Sequence, residues 1–136
     1  SDALPSTTDG WQFGMNLPDQ LPSYHFTSTS FEVYNASDIK IDPYYQRHDL
    51  KVTCKFNGNS LKLTNTTNGS VWTYSKSNDG SHQIVLDGIN TYLDGNLANV
   101  NTDYGTILLD PGWNSFTATG ASSVDITFSF PFIYLS

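Results

Sequence analysis

Cysteine, positive charge, glutamate and helical periodicity are all scarce in this chain, and each shortage closes off a class of function. The single cysteine, Cys54, rules out an internal disulfide, so passage through an oxidising compartment is not indicated. A reactive thiolate needs an electropositive, partly open setting. Cys54 instead falls on the apolar side of the alternating run Leu50, Val52, Cys54, Phe56, with Lys51 and Lys55 facing the other way, and is expected to be a small buried hydrophobe. Six Lys and Arg stand against thirteen acidic residues, for a net charge of -7. A phosphate backbone requires clustered cations to displace its counterions, so nucleic acid is excluded as a partner. An anionic membrane surface is disfavoured for the same reason. No apolar run approaches the length of a membrane span, and no signal peptide is legible. No window sustains apolar residues at i, i+3, i+4 and i+7 beyond two turns, which argues against a helical domain.

Catalytic groupings are equally thin. The only glutamate, Glu32, accompanies twelve aspartates, most of them beside Gly or Pro or at strand ends, where Asp serves turns through its own backbone. A glycosidase needs two carboxyls at a defined separation, and no pair stands out. No G-x-S-x-G elbow presents a serine. His25, His48 and His82 are isolated, with no His or Cys pair at ligand spacing. The oxygen-rich stretch 90–103 lacks the glycine and terminal glutamate of a calcium loop. No catalytic residue, metal or cofactor is therefore expected. Three Asn-x-Ser/Thr sequons, at Asn35, Asn65 and Asn68, are what an Asn-, Ser- and Thr-rich chain produces by chance.

What the chain has is alternation. From Ser123 to Tyr134, Val124, Ile126, Phe128, Phe130, Phe132 and Tyr134 share one face while Asp125, Thr127 and Ser129 share the other, the two-residue period of a half-buried strand. Shorter runs of the same kind recur: 24–28, 30–35, 38–41, 49–57, 60–65, 70–75, 81–87, 90–94, 106–109 and 113–119. Asn57-Gly58, Asn68-Gly69, Asp79-Gly80, Asp87-Gly88, Asp94-Gly95 and Gly120 read as the turns between them. About eleven short strands imply an all-β antiparallel sandwich of the jelly-roll or galectin-like kind. At 136 residues the chain is long enough for one domain. The polar, Pro-containing start reads as a linker over residues 1–9, leaving 10–136 as the folded unit. Trp72, Tyr74 and Trp113 lie in strand runs and are expected in the core, and Trp11 is expected to anchor the N-terminal segment.

One cluster outside the core carries chemistry. Asp42-Pro43-Tyr44-Tyr45-Gln46-Arg47-His48-Asp49 joins two strands, so it belongs at an end of the sandwich. Sugars offer C–H faces that stack on aromatic rings and hydroxyls that bond to Asp, Asn, Arg and His. Asp42, Tyr44, Tyr45, Arg47 and His48 supply both kinds of group and are the candidate saccharide-binding residues. Exposed tyrosines equally mark protein interfaces.

The segments DGWQFGMNLP, YHFTSTSFEVYNASDIKIDPYY, SLKLTNTTNGSVWTYS, IVLDG and LLDPGWNSFTATGASSVDITFSFPFIYL, in this order over residues 10–135, resemble the C-terminal domain of siphophage distal tail proteins. These are the tail-tip hub proteins of phages that infect Gram-positive bacteria. The resemblance implies a galectin-like or carbohydrate-module-like sandwich projecting from a ring built by a separate domain, adhesive and structural and not enzymatic. It implies a place at the virion tail tip, with host cell-wall polysaccharide and other tail-tip proteins as partners. Without the ring-forming domain, the isolated unit is expected to be monomeric. The His, Asn, Arg and Trp signature of galactose-binding galectins is not recognisable, so the likeness to galectins concerns fold alone.

Overall fold

Two long strands form the spine of the molecule. In the structure, a computed structural model that describes residues 23–134, the strands are β1 Ser23–Phe26, β2 Ser30–Asn35, β3 Lys51–Asn65, β4 Val71–Tyr74, β5 Asn78–Asp79, β6 Ile84–Asp87, β7 Asn90–Leu93, β8 Asn96–Leu97 and β9 Gly112–Ser129. A 3-10 turn covers Asn99–Asn101. All pairings are antiparallel within one nine-stranded sheet, ordered β1-β9-β3-β6-β7-β8, with β2 also on β9 and β4 and β5 also on β3. The linker expected at residues 1–9 and the anchor expected at Trp11 lie outside the described residues.

The sheet becomes a sandwich because β3 and β9 bend together. Their register shifts between Asn57 and Gly58 and again between Gly58 and Lys62. Such irregularity bends a strand and increases its twist. On one side of the bend, β1, β6, β7 and β8 extend the pair; on the other, β2 and β4 do. The two wings share one core. Phe116 from the second wing meets Phe128 from the first at 5.0 Å between ring centres, and Phe56 meets Tyr74 at 6.1 Å. Trp72 on β4 donates its indole N–H to the Thr91 hydroxyl on β7 at 2.9 Å, across the interior.

The bend explains where the sequence misleads. Asn57-Gly58 and Gly120 are not turns between strands; they sit inside β3 and β9, so four expected strands are two. The buried set in β3 changes parity across the bend, from Val52, Cys54 and Phe56 to Leu61, Leu63 and Asn65. The backbones cross too closely for side chains there. A Cβ on Gly58, whose φ is +151°, would fall 2.6 Å from the Ala121 Cα, and one on Gly120, at φ +89°, would fall 2.5 Å from the Ser60 hydroxyl oxygen. The expected strands 38–41 and 106–109 reduce to a single bridge, Ile41 to Leu109. The closing alternation also stops early. β9 ends at Ser129, before Pro131, which has no N–H for a ladder. Val124, Ile126, Phe128 and Phe130 are buried, Phe132 is half-buried, and Tyr134 is exposed.

The segment 107–110 runs through the interior without a strand ladder, so its polar backbone needs other partners. Buried asparagines supply them. Asn65 Nδ2 donates to Leu108 O at 2.9 Å and to Asn114 Oδ1 at 3.0 Å. Asn114 Oδ1 accepts from Asp110 N at 2.8 Å, and Asn114 Nδ2 donates to Asp110 O at 2.9 Å. Asn35 Nδ2 donates to Leu109 O at 3.2 Å. Two of the sequons thus have their Asn side chains inside the fold. Cys54 is buried as expected, and that burial, followed by the nearby Asp125 charge, pushes its thiol pKa up to about 12.

Replacing Gly58 with Ala should cost about 2–4 kcal/mol, since the crossing backbones must separate and the residue must hold a strained φ. Urea unfolding measures this. An unchanged midpoint would show that the crossing tolerates a side chain.

Candidate functional site

The loop after Ile41 is closed at its neck by a reciprocal pair. Asp42 N–H donates to His48 Nδ1 at 3.0 Å, and His48 N–H donates to Asp42 O at 3.1 Å. Inside the neck the Asp42 carboxylate caps the turn: its Oδ1 accepts from Tyr44 N at 2.9 Å and Tyr45 N at 3.0 Å. This is the local Asx bonding that makes Asp a turn residue. Asp42 and Pro43 are buried, while Tyr44 and Tyr45 are 56% and 78% exposed. Their rings meet edge to face, 4.6 Å apart and inclined by 77°. Arg47, the only arginine, is exposed at a φ of +57°.

The five candidate residues therefore divide by task. Tyr44, Tyr45 and Arg47 face solvent. Asp42 Oδ1 and His48 Nδ1 are engaged within the loop, and these two residues position the others. One loop thus offers solvent two exposed rings that can stack on an apolar face and a guanidinium that can donate to hydroxyls.

Trp113 corrects an expectation. It is 60% exposed, not in the core. It pairs directly with Tyr34 across β9 and β2, and the two rings lie 4.9 Å apart on the outer face of the second wing. The parity of β9 carried the signal: Phe116 and Ala118 are buried, so Trp113, three residues before Phe116, must face outward. Trp72 and Tyr74 are buried as expected.

Two histidines, among the described residues, form exposed pairs with aspartates. His25 Nε2 lies 2.7 Å from Asp125 Oδ1, and His82 Nδ1 lies 2.6 Å from Asp94 Oδ2. Ser81, next to His82, donates its hydroxyl to Asp79. Among the described residues no group of three or more His, Cys, Asp or Glu gathers as a metal site would require. The concavity beside Lys55, Asn57, Ser123 and Asp125 is a shallow surface depression.

Comparison of the chain with protein-family models finds no match, and comparison with curated proteins finds none.

The His82–Asp94 pair should report on pH. The hydrogen bond to Asp94, then its charge, raises the His82 pKa above 6.5. The backbone N–H of Gln83, then His82, lowers the Asp94 pKa below 3.8. The His82 contribution to stability is full below pH 6.5 and is lost as pH rises through the raised value. The Asp94 contribution is present above pH 3.8 and is lost as pH falls through the depressed one. Both side chains are exposed, so the stability effect should be small and salt-sensitive. NMR titration should place the His82 midpoint above 6.5, and Asp94→Asn should lower it.

Proposed function

We propose that this chain is a non-catalytic saccharide-binding domain of a phage distal tail protein, acting at the virion tail tip in adsorption to the host cell wall. The observation that carries the proposal is the Tyr44–Tyr45 pair: two large exposed rings on a loop whose neck and turn are closed by Asp42 and His48. Ordering a loop before binding removes an entropic cost from the complex. The π-face of an aromatic ring is electron-rich, and the C–H groups on one face of a pyranose are weakly positive, so the two surfaces attract. Arg47, exposed in the same loop, adds hydroxyl-directed donors. The order of motifs along residues 10–135, which resembles distal tail proteins, supplies the tail-tip context.

A second reading has its own support. Leu97 and Val100 are 66% and 82% exposed near the end of β8 and in the 3-10 turn. Apolar side chains at such positions suit a protein neighbour, as in an architectural arm that carries receptor-binding or other baseplate proteins.

A fluorescent fusion of the chain applied to a panel of Gram-positive bacteria should label at least one host, and purified wall polysaccharide should compete. Tyr44→Ala or Tyr45→Ala should weaken labelling roughly three- to tenfold. Folded protein that labels no host would remove the saccharide role. Capture of tail-tip proteins without wall binding would install the architectural one. Release of soluble sugar from purified walls would overturn the non-catalytic assignment.

A further inference from the structure

The loop is not the only place where rings meet solvent. On the outer face of the second wing, Trp113 and Tyr34 form a cross-strand aromatic pair. Their surroundings are polar. The next pair along the two strands is Glu32 with Ser115, and the next is Ser30 with Thr117; Thr117 is also paired with Thr64 of β3. Alternation places Glu32, Ser115, Thr117 and Thr64 on the same face as the rings. The result is a two-ring apolar spot among hydroxyls, with the Glu32 carboxylate beside it on the same strand face and Lys62, in register with Thr119, further along β3.

The backbone beneath this spot is fixed. Tyr34 precedes the buried Asn35, and Trp113 precedes the buried Asn114. Asn114 Nδ2 donates to Val33 O at 3.3 Å and to Gly112 O at 3.1 Å, linking the residues on either side of the aromatic pair. The ring pair therefore sits on a tied strand crossing and not on a loop tip.

We infer that the Trp113–Tyr34 face is a second saccharide-contacting surface, separate from the Tyr44–Tyr45 loop, and that it takes an uncharged polysaccharide. The inference rests on the saccharide-binding role proposed above. The amphiphilic pattern selects the ligand class. A protein partner would bury about 800 Å² on this side around an apolar centre, and here that centre is confined to two rings, with Glu32, Ser and Thr as the next neighbours on these strands. A sugar ring needs only one apolar face to stack and a rim of acceptors and donors, which Glu32, Ser115 and Thr117 supply. Charge decides between wall polymers. Glu32 is one alternation from the rings while Lys62 lies beyond Thr64, and the chain carries a net charge of -7, so phosphate-bearing chains are repelled and a neutral polysaccharide is favoured over a teichoic acid.

The test uses the whole chain with two probes: purified neutral wall polysaccharide and the teichoic acid fraction from the same cells. Trp113 is exposed and Trp72 is buried, so stacking on Trp113 should blue-shift tryptophan emission. Neutral polysaccharide should produce that shift in the wild type and in Tyr45→Ala, and Trp113→Phe should abolish it. Trp113→Ala should lower affinity for the neutral probe roughly tenfold in calorimetry, with an unchanged unfolding midpoint as the folding control. Wild-type affinity retained by Trp113→Ala would overturn this surface and leave the loop as the binding site. No binding of either probe by the wild type would instead remove the saccharide-binding role itself. Tighter binding of the teichoic acid fraction would overturn the neutral class. Loss of tail-tip protein capture in Trp113→Ala, with sugar binding intact, would make the face a protein interface and overturn the inference.

Discussion

The pairing of β3 with β9, bent where Gly58 passes Ala121 and Gly120 passes Ser60, is the constraint on which the rest of the molecule depends. Among the described residues, every other strand hangs from it directly or through one or two neighbours. Because the two strands bend together, a single sheet supplies both layers of the sandwich, and the inner faces of the wings close on one set of side chains. The crossing admits no Cβ at either glycine without displacing a neighbour. Hydrophobic burial drives the wings together, but the place at which they fold over is set by the absence of two side chains.

The buried asparagines act at a second point of the frame. Sandwich interiors are ordinarily apolar, and an amide placed there is costly unless its donors and acceptors are used. Asn65 and Asn114 bond to each other and to the ladder-free backbone of Leu108 and Asp110, so they substitute for a missing strand. Asn35 and Asn114 are also the chain neighbours of Tyr34 and Trp113. Polar residues pointing inward thus hold the segments whose next residues point rings outward. On the opposite kind of surface, the loop of Tyr44 and Tyr45, the same job falls to one aspartate and one histidine.

Much of the architecture was legible in the residues. The parity of Val124 to Phe130 fixed the core face of β9, the all-β class followed from recurring alternation, and the Asn68-Gly69 hairpin lies where its turn residues placed it, between β3 and β4. Two things were hidden for physical reasons. A glycine after asparagine signals equally a reversal of the chain and a bulge within a strand, because both exploit conformations closed to other residues. Only long-range pairing distinguishes them, and that pairing here spans about half the chain. Trp113 was hidden by a prior that puts tryptophan indoors, although its parity with the buried Phe116 argued otherwise. The candidate loop was visible as a composition, but not the division of its residues into those that hold and those that face outward. That division depends on where backbone donors converge, as at Asp42.

The chain's one sulfhydryl lies sealed beneath the sheet at Cys54, with no exposure and a thiol that resists ionisation. No second cysteine exists to trap it. No disulfide within this chain can therefore tie its folding to the redox state of its surroundings. A domain built this way needs no oxidation step or disulfide isomerase to reach its fold.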